Sequence, residues 1–163
     1  MSAELNFVRQ QGFEKATDET CAYQYPALMW QPRVVGILVL SGLVAQSSYY
    51  FIALSVILWS SVALPQLNPF DEIYYRIFAR PKGLNRPSPA PTPRRFAQAM
   101  AASFMLAIGL SLFFGSSTLA VIFEIFVITA LTALIFGRFC LGSYIYLLLS
   151  GKKELANTTL PWS

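Results

Sequence analysis

VVGILVLSGLVAQSSYYFIALSVILWSSVAL, residues 34–64, is apolar from end to end except at its centre, where Gln46, Ser47 and Ser48 stand together. As one helix the stretch would be roughly 45 Å long, against a hydrocarbon core of about 30 Å. The polar centre therefore reads as a tight turn between two helices, residues 34–46 and 49–64, with a single tilted helix as the alternative. Each half falls short of the roughly 20 residues of a comfortable span. The shortfall calls for local thinning of the bilayer, extension through Met29 and Trp30, or shelter by neighbouring helices.

The pattern recurs further along the chain. Residues 96–114 form a third apolar span and residues 119–137 a fourth. Gly115, Ser116, Ser117 and Thr118 connect them, and so short a link of small residues makes the two helices antiparallel. Composition agrees: of 163 residues, 55% are hydrophobic, 15% aromatic and 12% charged, and the mean hydropathy is +0.51. A soluble domain would need an improbably large core to hide that much apolar surface. The fold expected is an all-α integral membrane protein, with four transmembrane helices as two helical hairpins in tandem, each followed by a short interfacial amphipathic helix.

The chain divides accordingly into an N-terminal cytoplasmic extension (1–31), a first membrane hairpin with its interfacial helix (32–80), a Pro-rich connector (81–93), a second membrane hairpin with a terminal helix (94–151) and a C-terminal tail (152–163). Pro32-Arg33 opens the first hairpin as Pro93-Arg94-Arg95 opens the second. This reads as two units of one plan, and with two spans in each they share one orientation.

A formal charge of +4 invites a nucleic-acid reading until the charges are mapped. Arg33, Arg76, Arg80, Lys82, Arg86, Arg94, Arg95, Arg138, Lys152 and Lys153 flank the apolar segments on one expected side, which positive-inside topology explains. No nucleic-acid partner follows; the partners expected are membrane lipid and other membrane protein subunits. Both termini and the central connection fall on the cytoplasmic side of a bacterial inner membrane, or of an internal membrane derived from it. The first residues carry Glu4 and no basic n-region, so no cleavable signal peptide is expected and the first membrane helix serves as the insertion signal. On this topology the Asn157-Thr158-Thr159 sequon lies out of reach of glycosylation.

Residues 68–80 carry a full set of helix signals. Asn68 caps, Pro69 fits the first position, Asp71 and Glu72 occupy the positive end, and Arg76 and Arg80 lie near the other end before Pro81. Phe70, Ile73, Tyr74, Ile77 and Phe78 follow helical spacing and make one apolar face. Such a helix lies in the headgroup plane, as a docking element or as a shield over the ends of the hairpins. Pro87, Pro89, Pro91 and Pro93 alternate with small residues, which predicts an extended connector.

Ala99, Ser103, Ala107, Ser111 and Gly115 recur every fourth residue along the third span, and Thr129, Ala133 and Gly137 along the fourth. Small residues let helix backbones approach closely in lipid, so these stripes are expected to pack the second hairpin internally. Glu124 is an acid inside an apolar span, a costly placement that makes it a candidate for proton or ion handling or for meeting a polar partner. Arg138 lies about 21 Å further along the same helix, too far to pair with it, and marks the cytoplasmic boundary.

The chain has no His, which excludes bis-histidine haem, the common zinc sites and histidine base catalysis from its own residues. No cofactor is therefore assigned. Cys21 and Cys140 are its two cysteines; both fall on the expected cytoplasmic side, where disulfides rarely persist.

Asn68-Pro69-Phe70-Asp71, the Arg80-Pro81 stop, Pro93-Arg94-Arg95-Phe96-Ala97-Gln98 and Phe139-Cys140-Leu141-Gly142-Ser143 resemble the bacterial membrane family called domain of unknown function 4395, over residues 32–151. The resemblance implies two cysteines at C-x-x-C spacing on leaving the fourth span. Here Ser143 stands at the second position, so the pair cannot cycle between dithiol and disulfide. Arg138 and the long N-terminal extension also depart from that pattern.

The function expected is that of a small multi-pass membrane protein, a non-enzymatic structural or accessory subunit of a larger respiratory or photosynthetic assembly. The rival is a thiol-linked redox or sulfur-handling component using Cys140. Third comes a transporter or channel using Glu124, which four spans could line only as an oligomer.

Overall fold

The structure is a computed structural model and describes residues 3–160. Among those residues every regular element is helical: α1 (Ala3–Gln10), α2 (Asp18–Ala45), α3 (Ser48–Ala63), α4 (Pro69–Tyr74), α5 (Thr92–Phe113), α6 (Ser117–Ile135), α7 (Leu141–Leu149) and α8 (Lys153–Thr158). Three of them, α2, α5 and α6, are long and apolar enough to cross a membrane. A fourth crossing is reached only if α3 and the segment Pro65–Lys82, bent 118° from it, count as one broken span.

The expected turns are present, and each has a local cause. Gln46 ends α2 in the left-handed region with φ 46°, and its backbone N–H returns to the Gly42 carbonyl. Gly115 adopts φ 72° between α5 and α6, a conformation that glycine takes without the Cβ penalty.

The first span departs from expectation at its start. Helix α2 begins at Asp18 rather than near residue 34, capped by the Thr17 hydroxyl on the Thr20 N–H with Asp18 and Glu19 in its first turn. It runs on through Pro26 and Pro32, each of which removes one ladder hydrogen bond. Pro32 thus lies inside a helix, whereas Pro93 stands in the first turn of α5, so the two Pro-Arg sites differ in structure.

The segment after α3 also differs from a single helix. Asn68 caps α4 as expected, accepting from Phe70 N–H at 3.0 Å, but a π-helical turn follows over Tyr75–Ala79 and a 3₁₀ turn over Arg80–Lys82. Pro81 sits within that last turn, and Gly83, at φ 65°, ends it.

Packing runs across the two halves rather than within them. Helix α5 packs most extensively on α3, not on its hairpin mate α6. Gly109 lies against Ser48 and Ile52, the Ser55 hydroxyl donates to the Ala102 carbonyl at 2.8 Å, and Arg95 Nε donates to the Val62 carbonyl at 3.0 Å. These contacts march in opposite directions by two turns per step, as in an antiparallel coiled-coil-like pair. The core between them holds Phe51, Leu54, Leu58, Met105 and Ile108. Helix α2 in turn lies against α6: Gly36 faces Ile135 and Gln46 reaches Glu124.

The small-residue stripe on α5 is accordingly not the main packing face. Ser103 and Gly115 are exposed, Ala99 and Ala107 half-buried, and within the stripe Ser111 alone is buried. The face that packs carries Ala102, Met105, Ile108 and Gly109, one position away, because α3 and not α6 is the principal neighbour. A second cluster joins Leu5, Phe7 and Val8 of α1 to Leu28, Met29, Cys21 and Cys140. The N-terminal segment is thereby bound to the bundle.

Candidate functional site

Gln31 in the middle of α2 gathers a set of buried polar side chains. Its Oε1 accepts from Gln98 Nε2 at 2.8 Å, from Arg94 Nη2 at 2.9 Å and from Asn68 Nδ2 at 3.3 Å. Arg94 also forks onto Asp71, with Nη1 to Oδ2 at 3.1 Å and Nη2 to Oδ1 at 2.8 Å. Asn68 Oδ1, besides capping α4, accepts the Ser61 hydroxyl at 3.4 Å. Five of these residues, Gln31, Ser61, Asn68, Arg94 and Gln98, are buried.

The local rules that place them are simple. Arg94 and Gln98 are four apart and share a face of α5. Arg94 sits at the positive end of its helix, an unfavourable place for a cation that the Asp71 carboxylate offsets. Asp71 is held in the first turn of α4 by the Asn68 cap and Pro69.

Beside this polar knot, a cavity of about 350 Å³ opens between α2, α5, α6 and the start of α7. Its walls include Val35, Leu58, Phe104, Phe126 and Leu131, and Gln11, Gln31, Arg94, Gln98 and Cys140 also line it. Two of those polar side chains are incompletely paired: Gln98 Oε1 and Gln11 Nε2 are buried without a hydrogen-bond partner. A buried amide left short of a partner is uncommon enough to call for an explanation.

Cys140 is buried, its backbone N–H donating to Gln10 Oε1 at 2.8 Å, and it reaches the cavity wall. Ser143 does not present its hydroxyl beside that thiol; it is fully buried and donates to the Pro93 carbonyl at 3.3 Å. Gly142 lets α7 lie on α5, since a Cβ there would come within 2.7 Å of Ala97 Cα. Cys21 and Cys140 are both free thiols.

Arg138 and Glu124, also singled out in the sequence, make their polar contacts outside this set. Arg138 adopts φ 52°, pairs with Glu4 at 3.8 Å and lies 5.8 Å from the Tyr25 ring centroid. Glu124 is 7% exposed and accepts from Gln46 Nε2 at 3.1 Å, so the acid is tied to the turn between α2 and α3. The apolar face of residues 70–78 divides. Phe70 and Tyr74 are buried, whereas Ile73, Ile77 and Phe78 are exposed; Trp30 brings its ring within 4.8 Å of Phe78 and 6.3 Å of Tyr74. Among the described residues no group of three or more His, Cys, Asp or Glu side chains could hold a metal ion.

Sequence reasoning missed Gln31 and Gln98 as site residues and read Arg94 as a topology signal. The available clue was two polar residues four apart at the entrance of an apolar helix, in the same run as Asn68 and Asp71 that marked the family resemblance. No curated protein and no solved structure matches the chain. The family model described as domain of unknown function (DUF4395) does match, over residues 27–150, a range that holds Gln31, Asn68, Asp71, Arg94, Gln98 and Cys140, and the chain belongs to that family.

Proposed function

We propose that the protein is a small multi-pass bacterial membrane protein that works without catalysis, as a structural or accessory subunit of a larger membrane assembly, respiratory or photosynthetic. The observation that carries this reading is the use made of the buried polar groups. Gln31, Asn68, Asp71, Arg94 and Gln98 are linked to one another by hydrogen bonds that clamp α2, α4 and α5 into one body. Buried networks of that kind fix a geometry.

Two features favour protein neighbours. Helix α3 has 16 residues, about 24 Å of rise, and needs shelter to sit in a hydrocarbon layer of about 30 Å. Helix α6 exposes Val121, Ile125, Phe126 and Ile128 along a broad apolar face. In this reading the two serine turns face away from the cytoplasm and α4 and α7 lie at the cytoplasmic interface, with both termini on that side of the inner membrane or of a membrane derived from it.

Extraction of the tagged protein from its native membrane in a mild detergent, followed by mass spectrometry of what stays bound, tests the proposal. Stoichiometric co-purification with a membrane complex is the expected result. A lone protein or a homo-oligomer would remove the accessory-subunit reading. One observation favours a second reading: Cys140 lines the cavity, where its thiolate could attack a disulfide carried by a bound molecule, forming a mixed disulfide as that molecule's other sulfur leaves as a thiol.

A further inference from the structure

We infer that residues 73–86, together with Arg33, form a docking surface for anionic phospholipid head groups on the cytoplasmic leaflet of the protein's own bilayer. This rests on the membrane reading but not on membership of a complex. Direction comes first. The segment Pro65–Lys82 bends 118° from α3, so with α3 upright in a bilayer it runs close to the membrane plane. A helical segment in that plane turns one flank to the lipid surface.

The exposed flank carries both halves of an interfacial surface. Ile73 and Ile77, four residues apart and 46% and 59% exposed, make an apolar stripe with Phe78. Arg76 and Arg80 each follow one of those isoleucines by three positions and are exposed. Their stems can lie along the stripe while the guanidinium groups reach phosphate. The Trp30 ring packs 4.8 Å from Phe78, which ties the stripe to α2 at the level where its apolar run begins, and Arg33 is exposed about one turn further along.

Charge chooses the head group. Residues 72–86 hold one acid, Glu72, against the four bases Arg76, Arg80, Lys82 and Arg86, and that single carboxylate is shared by Arg76 and Arg86. Arg33, Arg80 and Lys82 enter no ion pair among the described residues. Phosphatidylglycerol-type head groups answer this surplus of cations, whereas a zwitterionic head group brings a cation of its own into the patch. A protein partner would have to displace those head groups and supply both acids and apolar cover at the same depth.

The test uses the full-length protein with bimane on Asn85→Cys, an exposed position beside the patch, Cys21 and Cys140 being buried. In nanodiscs mixing phosphatidylcholine and phosphatidylglycerol, one lipid or the other carries a nitroxide near the carbonyl end of an acyl chain. Labelled phosphatidylglycerol should quench at about fivefold lower content than labelled phosphatidylcholine, the worth of one base at an anionic surface. Arg80→Gln/Lys82→Gln should bring the two lipids together, Arg80→Lys should keep the preference, and salt at about 1 M should erase it. Ile73→Ser/Ile77→Ser should weaken quenching by both lipids. Equal quenching by the two lipids in the wild-type patch would overturn the anionic head group. Quenching by neither, while bimane on Phe136→Cys of the exposed α6 end is quenched, would overturn lipid as the occupant and give the surface to a protein neighbour. No quenching at either position would remove the membrane reading and this inference with it.

Discussion

Arg94 and Asp71 form a two-pronged ion pair, at 2.8 and 3.1 Å, that joins the first turn of α5 to the first turn of α4 across the Pro-rich connector. Their side chains are 5% and 13% exposed. A pair so shielded is held by geometry and by the third contact to Gln31, and its removal leaves a buried charge behind.

Arg94→Met should therefore lower the free energy of unfolding by about 3–5 kcal/mol, because the Asp71 carboxylate loses its counter-charge. Asp71→Asn should be destabilising for the reciprocal reason. The double variant should lose less than the two single losses added together. Equilibrium unfolding in detergent across the double-mutant cycle measures the coupling, and simple additivity would deny that the pair acts as a unit.

Gly109→Ala and Ser103→Ala separate the face that packs from the stripe visible in sequence. A Cβ on Gly109 would stand 2.7 Å from Ile52 Cγ1 and 3.1 Å from both the Ile52 N and the Ser48 carbonyl oxygen. Backbone cannot yield as a side chain can, so α3 and α5 must separate, at a cost of about 1–3 kcal/mol. Ser103 is exposed and its hydroxyl only bonds back to the Ala99 carbonyl at 2.8 Å, so its loss should fall within about 0.5 kcal/mol of wild type. Melting temperatures of the two variants decide the matter.

Cys21 and Cys140 should resist a water-soluble maleimide in the folded protein and react fully after denaturation, because both thiols are buried in the cluster that α1 closes. Cys140→Ser should fold with a near-normal melting temperature. Unaltered function of that variant in cells would remove the thiol-linked reading; loss of function with stability retained would promote it.

Glu124→Gln should leave both stability, within about 0.5 kcal/mol, and ion or proton flux in vesicles unchanged, since the amide oxygen can still accept from Gln46 Nε2 across 3.1 Å. A flux present in wild type and absent in this variant would move the transporter reading ahead of the accessory one.

Particular residues show how far local pattern reached. Asn68, Pro69 and Asp71 set the start of α4 as their order requires, and the polar breaks at 46–48 and 115–118 are turns, because caps and turn residues act within a few positions of themselves. The Asp18 start of α2 carries its own local signal in Thr17 and the acids after it, but Pro26 and Pro32 ordinarily end a helix, and only packing carries α2 through them. The small-residue stripe pointed at α6 when the nearest neighbour is α3. Its spacing says that a helix can approach something closely, not what it approaches.

The sequence by itself determined that the chain is helical, where the turns fall, which segments are apolar enough to enter a membrane and, through its motifs, the family to which it belongs. Those properties depend on composition and on neighbours within one or two helical turns. Only the tertiary structure decided that α3 pairs with α5 and α2 with α6, that Gln31 takes three donors, and that Gln11 and Gln98 line one cavity. The physical reason is that a glutamine at position 31, 67 residues before its partner at 98, carries no local sign of whether it meets water, lipid or another amide. Packing alone brings the two together, and the cost of leaving either unpaired away from water then fixes what each must do.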